Sequence, residues 1–89
     1  MYHVEWLLSA LNELTTFWTQ ANSELRTLIT QAASEIDRRL ETNPLEEGES
    51  RPGGRRITFV PPLAVRFSVA SDGLKVTVLH VRVYGKRQK

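Results

Sequence analysis

Apolar residues change their spacing along this 89-residue chain. At the start, Tyr2, Val4 and Trp6 alternate with His3 and Glu5, the period-two pattern of a half-buried strand. From Ser9 the period lengthens. Leu11, Leu14, Phe17, Trp18 and Ala21 recur at helical spacing, with Ser9 placed to cap the first turn. A second stripe, Leu25, Leu28, Ile29, Ala32, Ala33, Ile36 and Leu40, predicts a helix running to about Thr42. Glu35 and Arg39, four apart, can pair on its exposed side. Several of these residues, from Leu11 through Trp18 and Leu25 to Ala32, also keep a seven-residue repeat that one long helix could carry. Such a helix would need a partner for its seam, as in a dimer. A hairpin buries the same residues within one chain, and Asn22 or Ser23 can cap its second helix. The hairpin is therefore preferred.

Asn43-Pro44 ends the helical region, because proline disfavours helical geometry in the residue before it. Residues 44–54 read as one polar, turn-rich loop, of the kind that often carries function in a small domain. Beyond it the period returns to two. Ile57 and Phe59 alternate with Arg56, Thr58 and Val60, and after Pro61-Pro62 the residues Leu63, Val65, Phe67 and Val69 share one face. Asp72-Gly73 suits a tight hairpin turn, and the strand from Leu74 to about Tyr84 is apolar on both faces. Residues 85–89 form a basic tail expected to fray. The order is β-α-α-β-β-β. It predicts an α+β fold, one domain over residues 1–89, with a helical hairpin packed on a mostly antiparallel sheet.

Composition narrows the chemistry. The chain is 40% apolar and 25% charged, as ordinary globular proteins are. It has no cysteine, which excludes disulfides, thiolate metal sites and a cysteine nucleophile. His3 and His80 are its only histidines, so no metal site is expected, and no dinucleotide fingerprint points to a cofactor. No apolar run approaches the roughly 18 residues that span a bilayer, and no signal peptide is recognisable. These absences point to the cytoplasm and away from a membrane. Charge is unevenly placed. Residues 1–50 hold nine acidic and three basic groups, whereas residues 51–89 hold nine basic groups and the single acid Asp72. A half that basic suits a polyanion or an acidic protein surface; otherwise its charges would merely solvate an open sheet and guard its edges.

Candidate site residues follow. If the last three strands form a meander, Arg56, Arg66 and Arg82 can gather on the exposed face, where planar guanidinium forks suit phosphate. Arg51 and Arg55, together with Lys86 and Arg87 in the tail, would extend a nucleic-acid contact. Tyr84 could stack on a base or cap the core. Among Glu46, Glu47 and Glu49, Glu49 is nearest a strand and is the candidate general base. His80 shares strand parity with Val76, Val78 and Arg82 and reads as structural. Trp6 and Trp18 lie on apolar stripes and read as core.

This order, with Tyr2–Trp6 opening it, resembles the RelE/ParE superfamily of type II toxin–antitoxin toxins. The matching segments are the helix ending in 36–44 (IDRRLETNP), then 62–69 (PLAVRFSV), Asp72-Gly73 and Val76–Tyr84. The resemblance covers nearly the whole chain. It implies a toxin neutralised by a cognate antitoxin. RelE-like members cleave mRNA on the ribosome, whereas ParE-like members inhibit DNA gyrase without cleaving anything. The pattern departs from the family at two places. A family arginine falls on Ala64, with Arg66 two residues along the same face, and the usual basic pair falls on Val83 and Tyr84. The chain also stops before a helix that some RelE members add. The first reading is therefore an mRNA-cleaving toxin with a rearranged site. The second is a gyrase inhibitor or a toxin-like binding module without catalysis.

Overall fold

The computed structural model describes residues 1–70 and 74–84. Strand β1 (His3–Trp6) leads into helix α1 (Leu8–Gln20) and helix α2 (Ser23–Thr42). A 3-10 turn (Pro44–Glu46) follows, and then strands β2 (Glu49–Arg51), β3 (Arg55–Val60), β4 (Leu63–Val69) and β5 (Lys75–Val83). The strands form one sheet in the order β1-β5-β4-β3-β2. β1 runs parallel to β5, and the other neighbouring pairs are antiparallel. A parallel pair needs a crossover, and the two helices supply it. The α+β class and the helical hairpin are as the hydrophobic pattern predicts. No helix among the described residues is long and apolar enough to cross a membrane.

Local chemistry explains why the seven-residue repeat does not become one long helix. Asn22 is extended, and its side chain accepts a 2.9 Å hydrogen bond from the Leu25 N–H, capping α2. Arg26 reaches back to close the other side of the break. Its Nε donates to the Trp18 carbonyl at 2.9 Å and its Nη2 to the Thr19 carbonyl at 3.0 Å. These carbonyls belong to the last turn of α1, where the Trp18 carbonyl otherwise accepts only the long 3.2 Å bond from the Ala21 N–H among the described residues. The Arg26 guanidinium also lies 4.4 Å from the centre of the Trp18 ring. Trp18 is accordingly a surface residue, 41% exposed, and not the core residue its stripe suggests. Trp6 does pack against the core, and its indole N–H donates to Asp37 at 2.7 Å.

Two further expectations need correction. Ser9 does not cap α1: the helix begins one residue earlier, and its capping position, Leu7, makes no side-chain hydrogen bond. The loop over 44–54 also contains a strand, because β2 pairs with β3 across a turn at Pro52-Gly53-Gly54. Both turn glycines have positive φ, +80° at Gly53 and +73° at Gly54. The Asp72-Gly73 turn lies outside the described residues.

The helices cover one sheet face. Ala10, Ile29, Ala32, Ile36 and Leu40 meet Leu63, Val65, Phe67, Val76, Val78 and Val81 in a single buried cluster. Burying a side chain such as Phe67 contributes about 1.5–3 kcal/mol. α1 lies against β5, whereas α2 spans β1, β3 and β4. The opposite sheet face carries no helix among the described residues.

Candidate anion site on the open sheet face

Strand register decides which candidates meet, because residues directly opposite each other in an antiparallel pair point to the same face. Three cross-strand rows make up the open face. Arg51, Arg55 and Ser68 form one row; Glu49, Ile57, Arg66 and His80 the next; Phe59, Ala64 and Arg82 the third. Arg66, His80 and Arg82, with Ile57 and Ala64, line a shallow pocket of about 150 Å³. Tyr84 closes this end of the sheet. Its ring meets Phe59 edge-on, 5.3 Å between centroids at 73°, and both rings remain exposed.

An irregularity in β5 creates the pocket. Phe67 pairs with Val78, but the next residue back, Arg66, pairs with His80, so Leu79 is an extra residue in the strand. Before the bulge Val76 and Val78 face the core; after it Val81 does. Strict alternation from Val78 would have turned His80 and Arg82 inward. The bulge turns them outward instead. Sequence parity therefore gave no sign that His80 belongs to the site.

Arg56 does not join Arg66 and Arg82. It pairs with Phe67, on the face that the helices cover. Its guanidinium, at the sheet margin, donates to the carbonyls of Glu47 at 2.9 Å and Gly48 at 3.1 Å. Glu47 is itself tied inward, accepting from Thr58 Oγ1 at 2.6 Å and Arg39 Nη1 at 3.3 Å. Arg56 thus holds the chain entering β2. Gly48, at φ +70°, is part of the same close packing: a Cβ there would lie 2.0 Å from the Ile57 carbonyl oxygen.

The remaining candidates differ in their freedom. Arg66 and Arg55 have no hydrogen-bond or ion-pair partner among the described residues, and both are exposed. Arg51 pairs with Glu49 at 3.1 Å. Glu49 stands in the Arg66 row but two strands away, roughly 10 Å by strand spacing. Lys86 and Arg87 lie outside the described residues.

Glu13, on α1, was not a sequence candidate. It reaches the pocket rim from the helical half. Its Oε2 accepts from Arg82 Nη1 at 2.8 Å and lies 3.7 Å from His80 Nδ1. Its Oε1 accepts from the Val81 N–H at 2.9 Å. That backbone hydrogen bond, reinforced by Arg82, holds the Glu13 carboxyl below its ordinary range despite partial desolvation. The carboxylate is ionised at neutral pH, so two guanidiniums face one negative charge around the pocket.

No family profile matches the chain, and no curated protein matches it in sequence. Solved structures do match its fold. A chain of the chromosomal ParDE toxin–antitoxin system from P. aeruginosa superposes with a TM-score of 0.72 at 18% identity, covering 96% of this chain and 98% of that one. A chain of a RelBE toxin–antitoxin complex from Mycobacterium tuberculosis gives 0.72 at 15% identity, covering 93% and 98%. The isolated E. coli RelE toxin gives 0.66 at 18% identity, covering 99% and 89%. With its helical hairpin on one side of a five-stranded mixed sheet, the chain has the RelE/ParE toxin fold.

Proposed function

We propose that the chain is the toxin of a type II toxin–antitoxin pair and cleaves messenger RNA on its open sheet face. The observation that carries this reading is the meeting of Arg66, His80 and Arg82 in one pocket beside an exposed aromatic pair. Each part has a use in RNA chemistry. Arg66 and Arg82 would hold the scissile phosphate and the charge that builds on it when a ribose 2′-hydroxyl attacks phosphorus. His80 would take the proton of that hydroxyl as general base. The P–O5′ bond then breaks, the 5′-oxygen gains a proton from Tyr84 or from water, and a 2′,3′-cyclic phosphate remains. Tyr84 and Phe59 offer a surface on which a base can stack. Arg51 and Arg55 would contact neighbouring phosphates. Glu49, two strands from Arg66 and paired with Arg51, is less well placed for proton transfer than His80.

Similarity to toxins solved with their antitoxins supports a cognate antitoxin as partner. A groove of about 280 Å³ between α1 and α2, lined by Leu14, Trp18, Ile29 and Ala33 among others, offers apolar surface for an antitoxin segment.

Induced expression followed by mapping of RNA 5′ ends tests the reading. New mRNA ends should appear with growth arrest and vanish when Arg66→Ala and Arg82→Ala are combined. Cuts that persist in the double variant overturn the site. Growth arrest with intact mRNA and trapped gyrase–DNA cleavage complexes overturns the nuclease reading in favour of a non-enzymatic gyrase inhibitor.

A further inference from the structure

Past Val78 the outer edge of β5 loses its partner strand. β1 pairs with β5 only as far as Trp6 opposite Val78, after which the Leu7 N–H donates to the Val78 carbonyl and the chain leaves as α1. The residues beyond this point include those that the bulge turns toward the pocket. The Val81 N–H, on a residue whose side chain is fully buried, has no neighbouring strand to donate to among the described residues. It donates to Glu13. Glu13 sits between Ala10, fully buried, and Phe17, packed against the core, so α1 fixes the carboxylate over this stretch of β5.

The same carboxylate fixes a guanidinium. Arg82 Nη1 donates to both Glu13 Oε2 and the Val81 carbonyl, the latter at 3.0 Å. Nε and Nη2 of Arg82 have no partner among the described residues. Those two nitrogens form the side-on fork that binds a phosphate in two parallel hydrogen bonds. A negative charge beside a phosphate site opposes ground-state binding. Its presence is understandable if orientation matters more than affinity, since a displacement of about 1 Å in a reacting group can cost roughly 100-fold in rate.

We propose that Glu13 is the positioning residue of this site: one carboxylate, carried on the helical half, sets both the Arg82 fork and the β5 backbone at Val81, just past the bulge. The inference rests on the RNA-cleavage reading for its catalytic consequence, and its geometric part can be measured without cleavage.

Glu13→Gln is the informative variant. An amide offers one acceptor oxygen, so it serves either the Val81 N–H or Arg82, not both. With a single-stranded oligoribonucleotide as substrate, kcat should fall about 10- to 100-fold. KM should stay the same or fall, because the opposing charge is gone. A purely structural role would instead lower thermal stability without this split. By NMR, rotation of the Arg82 guanidinium should be restricted in the wild type and freed in Glu13→Gln. Adding Glu13→Gln to Arg82→Ala should lower kcat no further. Wild-type kcat in Glu13→Gln, an unchanged Arg82 rotation, or additive losses in the double variant would each overturn the proposal. If the wild type cleaves no RNA, the nuclease reading fails. Glu13 is then judged by Arg82 rotation and by the affinity of a 2′-O-methyl oligonucleotide across the same four proteins. Coupled effects uphold it and additive ones overturn it.

Discussion

Arg66 and Phe67 are adjacent in β4, yet they belong to different parts of the molecule. Phe67 is fully buried beneath the helices, in a row with Val78. Arg66 faces the other way, exposed and without an ion-pair partner among the described residues. The same strands thus do two jobs on alternate residues. The covered face is close-packed and carries the stability. The open face has little packing to lose, which leaves it free to hold charges and exposed rings. Charge follows the same division. The acidic half of the chain forms both helices together with β1, and the basic half forms β3, β4 and β5. Glu13 is the one acid of the helices that bonds a cation of the open-face pocket among the described residues.

That division can be broken most directly at its sharpest point. Phe67→Ala should cost about 3–5 kcal/mol in chemical denaturation, because a large side chain leaves a cavity that the core cannot fill. Arg66→Ala should change stability by less than about 0.5 kcal/mol, as exposed substitutions do, while weakening oligoribonucleotide binding about tenfold. If Arg66→Ala proves the more destabilising of the two, the faces are not separate in the way described.

Gly48→Ala should come next, at about 1–3 kcal/mol, since it combines a positive φ with a Cβ driven into the Ile57 carbonyl. Denaturation melts would measure it. The same change at Gly53 meets no neighbouring atom and should cost less, which would separate crowding from backbone strain.

The smallest effect concerns the link between the halves. Glu13 has a folded pKa below its unfolded value, so its stabilisation is present above the unfolded value of 4.5 and is lost as pH falls through the folded one. The stability difference between wild type and Glu13→Gln should therefore narrow as pH drops below about 4. Melts at a series of pH values would show it. A difference that widens in acid would mean that Glu13 is not held in its ionised form.

Much of this organisation was legible in the order of residues. Two apolar stripes of helical spacing and three of period two gave the hairpin and the strands because the periods differ. In β3, however, the stripe of Ile57 and Phe59 lies on the open face, and Thr58 and Val60 are the buried residues. Asn43-Pro44 gave the end of α2 because proline's constraint is local. β2 was missed because Glu49–Arg51 is short, polar and exposed throughout, leaving no hydrophobic signal. The exposure of Trp18 is not legible in its stripe, because helical spacing shows which residues share a face but not whether anything covers it.

At the site, sequence sufficed to place Arg66, Arg82 and Tyr84 on or at the end of the last two strands, although the outward face of Arg82 follows only from the bulge. It failed at Arg56, whose face is set by its pairing with Phe67, and at His80, whose outward direction depends on one extra residue in β5. A bulge is a property of two strands in register, so it leaves no mark in either strand alone. Glu13 lies 68 residues from the backbone group it holds, on an element with a different period. Local spacing fixed the class of fold and the sign of its charged face. Only packing of α1 against β5 decided which charges meet, because that depends on register and on distances no local pattern encodes.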